Sequence, residues 1–459
     1  MNADSSPAME RGVLDRLLAP FADVRAGEAP TALLLMLNVF LLLTCYYILK
    51  PVREALILAG EGAEVKSYSA AGQVLILLGF VPAYGALANR LGRIRLISGV
   101  TMFFVACLAA FYLLTGANLP HLGIAFYIWV GIFNVSIVAQ FWSYANDLYT
   151  PEAGKRLFAI IAFGSTLGAI VGATMTKVLI APLGVRELLL VAGAILLASI
   201  VITRIVDARE GRRAARSATA APGQPIGGQG GFTLVLRDRY LLLIGLLVLV
   251  LNLVNSNGEY ILGKTLTQIA QQNVAAGLAG TMSVNQYKEQ LIGSFYAGYQ
   301  LSVNIVTALA QLFLVSRIMQ KLGVRFALLV MPLISLTGYT LLTVAPLLQT
   351  VRLVKIAENS TDYSLQNTAR QALFLPTSRE AKYKAKSAID TFFYRTGDLC
   401  SAGLVFLGAR LALTPRRFSL INVVLVLLWL GFSMRIGRRY AELTGEGGKA
   451  PAGAETAPA

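Results

Sequence analysis

Apolar runs of about 18 to 25 residues recur along the whole 459-residue chain, each long enough to cross a roughly 30 Å hydrocarbon core at about 1.5 Å per residue. A water-soluble core cannot absorb so many. Hydrophobic residues make up 56% of the chain and charged residues 14%, against about a quarter charged in ordinary soluble domains. The pattern predicts an all-α polytopic membrane protein with twelve transmembrane helices. They lie near 31–58, 68–88, 94–115, 122–147, 158–180, 185–205, 240–262, 290–315, 325–345, 350–374, 385–411 and 416–438. The first thirty residues mix acids and bases without an apolar h-region or a small-residue cleavage site, so the first span is expected to stay in the mature protein.

The net charge of +16 would suggest nucleic acid in a soluble protein, but in a multi-pass protein the first question is how Lys and Arg divide between the two sides. With the N-terminus inside, the inner segments carry 26 of the 40 Lys and Arg and the outer segments 7, Lys66, Lys264 and Lys288 among them. This bias predicts cytoplasmic termini and a bilayer partner, with no nucleic-acid role. Cys45, Cys107 and Cys400 each sit inside an apolar run, so neither a disulfide framework nor a metal site is indicated, and no cofactor motif stands out.

"VDAREGRRAARSATAAPGQPIGGQGG", starting at Val206, cannot bury a core and reads as a cytoplasmic linker over 206–236. It separates a six-helix half at 31–205 from another at 237–439. Residues 1–30 form a cytoplasmic segment and 440–459 a disordered tail. The halves echo each other. "NRLGRIR" after the second span matches "QKLGVRF" after the eighth, and "PEAGKRLFAI" before the fifth matches "REAKYKAKSAI" before the eleventh. Tyr-Ile-Leu followed closely by lysine occurs at 47–50 and again at 260–264. Parallel six-helix repeats are the layout of major-facilitator transporters. "GALANRLGRIR" at 85–95 also resembles the loop that this superfamily carries between its second and third helices.

"GEYILGKT" at 258–265 fits a phosphate-cradling Walker pattern letter for letter. It is a false positive by context, because that loop must follow a β-strand, whereas this one follows a leucine-rich membrane span. With no nucleophile-base pair either, the chain is expected not to be an enzyme.

Charges inside spans cost about 2.5 to 3.5 kcal/mol each on insertion scales and therefore face cavities or partners. In "YYILKPVREALIL" at 46–58, Lys50 and Arg53 share a helix face and Glu54 is spaced to pair with Lys50. Two readings are open. A helix starting at 31 has climbed about 28 Å by residue 50, where these side chains snorkel to water; alternatively, Pro51 breaks the helix and the charges line a cavity. In the tenth span Glu358, Asp362, Gln366 and Arg370 fall at successive fourth positions with Lys355 one turn before, a stripe that lines water or bonds to another helix. The eleventh adds Lys386 with Asp390 and Arg395 with Asp398. The fourth ends in Tyr144, Asn146 and Asp147, where aromatic rings suit either an interfacial belt or stacking on a substrate base. The seventh contributes Glu259. Fixed bases along a pathway select an anion with several oxygens, and Arg offers a planar fork for phosphate or carboxylate.

"ILKPVREALIL" resembles the first-helix signature of the ADP/ATP carrier family of nucleotide transporters found in plastids and obligate intracellular bacteria. "FWSYANDLYTPEAGKRLFAIIAFGSTLGAI" at 141–170 and "KAKSAID" at 384–390 are similar to two further segments of that family. The resemblance implies a major-facilitator-like fold and ATP/ADP exchange or proton-coupled nucleotide uptake. In that reading Arg53 and Lys386 are the phosphate bases, and Asp147 or Glu259 the acids. The alternatives are a carrier of another organic anion or lipid, and a non-transporting membrane sensor or assembly protein.

Overall fold

A computed structural model describes residues 14, 25, 27–88, 90–117, 119–149, 151–214, 231–378 and 381–444. Residues 215–230 of the expected linker, 445–459 of the expected tail and most of 1–30 lie outside the described residues.

Among the described residues the chain forms twelve helical rods and no strand. The first six are α1 (Ala29–Gly60), α2 (Gly62–Ala88), α3 (Arg93–Gly116), α4 (Leu122–Leu148), α5 (Pro151–Leu183) and α6 (Glu187–Ala214). A short helix at Gly231–Arg237 leads to α7 (Arg239–Ala275), whose start is capped by Asp238 accepting from the backbone N–H of Tyr240 at 2.7 Å and of Leu241 at 3.3 Å. Then follow α8 (Val284–Ala310), which runs on through a π-helical turn at Gln311–Val315 into Ser316–Lys321, and α9 (Gly323–Val344). The rod α10 runs from Leu348–Thr361 through a π turn at Asp362–Gln366 into Asn367–Ala372. Next, α11 passes π turns at Ala381–Ala385 and Ile389–Phe393 before Tyr394–Arg410, and α12 is Pro415–Thr444.

Ten of these helices are long and apolar enough to cross a membrane. The other two are α10 and α11, the spans that the sequence marks as most polar. Their longest unbroken α-helical pieces are 14 and 17 residues. Several boundaries move outward from those expected: α2 starts before Lys66, and α7 continues through most of the stretch that reads as an outer insertion. Lys66, Lys264 and Lys288 are thereby helical rather than in loops.

The described residues divide into two compact units. One comprises Met1–Gly60, Leu75–Pro222 and Met282–Leu301, the other Glu61–Val74, Gly223–Thr281 and Ser302–Ala459. In the first, α1 packs against α4, α5 and α6, while α3 packs against α4 and α6. In the second, α7 packs against α10, α11 and α12, and α9 against α10 and α12. The partners match when each helix is shifted by six, so the weak sequence echoes mark a structural repeat.

The units are held by different chemistry. A Cβ on Gly164, Gly168 or Gly172 of α5 would collide with the backbone carbonyl of Met36, Phe40 or Thr44 of α1. This small-residue ladder, one glycine per turn, lets two helix backbones touch where lipid supplies no hydrophobic drive. Beside it, Trp129 of α4 stacks on Phe133 (5.4 Å between ring centroids, 10° between planes) and meets Phe104 and Phe111 of α3 edge to face. In the second unit α7 is tied by polar side chains. Asn252 donates to Asp398 at 2.8 Å and to the Tyr394 carbonyl at 2.7 Å, and Asn257 donates to Asn422 at 2.6 Å.

Candidate functional site

In the first unit the charged stretch lies inside an unbroken α1. Pro51 does not end the helix, so of the two readings the one that breaks the helix there fails: its ring removes only the N–H that would reach the Tyr47 carbonyl while the rest of the ladder continues. Glu54 pairs with Arg53. Arg53 Nη2 lies 2.5 Å and Nε 3.2 Å from Glu54 Oε1, since the long guanidinium arm reaches back over its neighbour. The guanidinium also sits 4.4 Å from the ring centroid of Tyr127 on α4. Lys50 instead donates to Gln300 Oε1 of α8 at 3.1 Å. The Glu54 side chain is 3% exposed and that of Arg53 14%, so the acid is sealed and the base keeps an opening.

The residues at the far end of α4 do not join this group. Tyr127 and Asp147 are separated by about 30 Å of helix. Asp147 is exposed and 3.8 Å from Arg93, whose other amino group is 3.5 Å from Asp207 of α6. Tyr144 is buried beneath the Arg93 guanidinium, 5.0 Å from ring centroid to carbon, and lines a small chamber of mixed character with Asn38, Gln140, Ile97 and Phe141. Asn146 is exposed. At this same end Arg156 of α5 grips Glu28 with two bonds of 2.9 Å, and the Arg25 backbone N–H adds a third. Burial raises the Glu28 carboxyl, but these donors outweigh it and hold the group below the ordinary glutamate value.

In the second unit four charges form a chain. Lys355 Nζ of α10 is 2.6 Å from Glu358 Oε2, 2.6 Å from Asn255 Oδ1 and 3.6 Å from Glu259 Oε1 of α7. Glu259 Oε2 is 3.9 Å from Lys66 Nζ of α2, and Asn359 donates to Glu259 Oε1 at 3.1 Å. Glu358 also accepts from Tyr339 Oη at 2.9 Å and from Ser335 Oγ at 3.0 Å, both on α9. Spacing foreshadows Lys355 with Glu358. Lys66, Tyr339 and Ser335 carry no such signal, because α2 brings in the first and α9 the other two.

Other expected residues lie around this chain without entering it. Asp362 is buried, 3.9 Å from Arg370, in the π turn whose Tyr363 carbonyl accepts from Gln311 of α8 at 3.2 Å. Arg395 is 3.3 Å from Asp398, a helix-joining pair through Asn252 and Ser256. Lys386 and Asp390, spaced to pair, form no ion pair: Lys386 is half-buried and Asp390 exposed. The whole of 258–265 lies inside α7, where Gly258 faces Tyr339 and Lys264 pairs with Glu64 at 2.5 Å, so no phosphate loop exists there. Among the described residues no group of three or more His, Cys, Asp or Glu side chains could hold a metal ion.

The sequence profile of the Major Facilitator Superfamily matches residues 33–357. ADP,ATP carrier protein 1 of Chlamydia pneumoniae is 24% identical over 367 residues, covering 69% of this chain and 67% of the carrier. Among solved structures, a bacterial homolog of the human lysosomal transporter Spinster, inward-facing and unoccupied, superposes with TM-score 0.56 at 13% identity over 90% of this chain and 98% of its own. A POT family transporter in complex with 5-aminolevulinic acid gives 0.59 at 14% over 88% and 96%. A bacterial homologue of the iron transporter ferroportin gives 0.59 at 14% over 89% and 98%. These likenesses extend through both units.

Proposed function

This chain belongs to the Major Facilitator Superfamily of membrane transporters, and from that premise we propose that it is an alternating-access carrier of anionic solutes, nucleotides foremost. The observation that carries the substrate class is Arg53: a guanidinium steadied against Tyr127, charge-balanced by sealed Glu54 and itself partly open. Such a fork is pre-ordered for two phosphate oxygens, because little of its rotamer freedom remains to be lost on binding. The match to the Chlamydia pneumoniae carrier supports nucleotides over simpler anions.

Lys50 and Lys386 are secondary bases in this reading, and Glu259 with Glu358 the acids of the other half. Tyr144, Asn146 and Asp147 guard the far end of α4, while Asp362, Arg370, Asp390 and Arg395 shape the polar flank. The halves at 31–205 and 237–439, joined by 206–236, give the solute access to each side in turn, with both termini on the cytoplasmic side of a bacterial inner membrane, as the Lys and Arg bias favours for the termini.

The test is uptake of labelled ATP, ADP and simpler anions into proteoliposomes holding unlabelled counter-substrate. Arg53→Ala is expected to lower nucleotide uptake by about tenfold to a hundredfold, the range for losing a charge-assisted contact. Undiminished uptake by that variant would mean the base only snorkels. If no nucleotide exchanges and none shifts the melting of the purified protein, the substrate reading fails.

A further inference from the structure

Glu259 and Glu358 are both acids near Lys355, yet they are held in opposite ways. Glu358 is fully buried, with bonds of 2.6 to 3.0 Å from Lys355, Tyr339 and Ser335. It is a fixed counter-ion, sealed between α9 and α10. Glu259 accepts from Asn359 at 3.1 Å but lies at longer range from Lys355, 3.6 Å, and from Lys66, 3.9 Å. Its side chain is 26% exposed, against 0% for Lys355 and 8% for Lys66. Two sheltered ammonium groups therefore converge on one accessible carboxylate, which is how an anion-binding site looks when the protein's own anion fills it.

We propose that Lys66, Lys355 and Asn359 form an oxyanion site for a phosphate of the transported solute, and that Glu259 occupies it until the solute displaces it. The proposal rests on the anion-carrier reading above and adds to Arg53 a second group of side chains that meets the solute. Exchange of one carboxylate for another oxyanion leaves both lysines neutralised, so the buried charge stays paired in either state. A displaced but ionised Glu259 would remain next to the incoming anion, and like charges in a low-dielectric site repel strongly. Protonating Glu259 removes that repulsion, while Lys66 from α2, Lys355 and Glu358 from α10, Tyr339 from α9 and the Glu64–Lys264 pair one turn along α7 keep their places. Proton binding and anion binding then favour each other, and by linkage each strengthens the other equally.

ATP and inorganic phosphate binding to the purified full-length protein, followed by calorimetry from about pH 8 to about pH 5, tests this. The wild type is expected to bind ATP more tightly in acid, by up to about tenfold per pH unit, the limit for one coupled proton. In Glu259→Gln the binding is expected to be tight throughout with that slope gone. Lys66→Gln is expected to weaken ATP by about tenfold or more with its melting close to wild type, and it is preferred to altering Lys355, whose loss would strand Glu358. A flat profile in the wild type, a slope that persists in Glu259→Gln, or ATP binding weakened by Glu259→Gln as much as by Lys66→Gln would each overturn the displaceable carboxylate. If the wild type binds neither ATP nor phosphate at any pH, the anion-carrier reading falls with it; if it binds ATP and only the variant results disagree, that reading survives alone.

Discussion

At Gly258 a Cβ would collide with Tyr339 Oη and lie 3.1 Å from Lys355 Nζ, so the missing methyl group is what lets α7 admit both side chains. Gly258→Ala is expected to cost about 1–3 kcal/mol by overpacking, read as a lowered melting temperature, and to displace Tyr339 from Glu358. Glu28, in the first unit, supplies a pH test. Its native carboxyl lies below the unfolded value of about 4.3, so the stability it contributes is fully present above that pH. It is lost as pH falls from there through the lowered native value. Glu28→Gln is expected to cost about 1–3 kcal/mol at neutral pH and to flatten this acid limb in thermal melts. Neither contact is legible from residue type alone, since Gly258 sits in a false phosphate motif and Glu28 just before the first span.

Along α5 the three glycines that meet α1 carbonyls recur every fourth position, and two of them, Gly164 and Gly168, lie within the segment 141–170 that resembles the carrier family. Gly168→Leu is expected to force the two helices apart by the width of a side chain and to cost more than about 3 kcal/mol, seen as loss of monodisperse protein in size-exclusion chromatography. The adjacent face of α5, which avoids the ladder, is expected to accept leucine without that loss. Element α10 shows the opposite case. Its polar stripe is plain in the sequence, but the π turn at Asp362–Gln366 shifts the register between Glu358 and Arg370. Even spacing by four therefore does not translate into one straight row. Pairing along the sequence is a weak guide for the same reason in α1, where Arg53 takes the acid that spacing offers to Lys50.

For the molecule as a whole, membership of the transporter superfamily together with a continuous α7 through 258–265 predicts transport without hydrolysis. Reconstituted protein supplied with ATP is expected to release no inorganic phosphate above empty liposomes while it exchanges nucleotide; steady phosphate release would contradict this. The order of residues alone carries the class, the helical rods and the repeat. Water exclusion over about 20 residues is a property of composition and length that needs no tertiary contact, and echoed segments survive wherever two halves share a packing plan. It also marked α10 and α11 as exceptional, since charge inside a span is costly wherever it faces. Which charges meet is set by packing. Lys66, reading as a loop lysine, lies beside Glu259, whereas Asp147 lies far along α4 from the ring that supports Arg53. Such meetings depend on how helices from distant parts of the chain are set against one another within a unit, and local spacing carries no record of that.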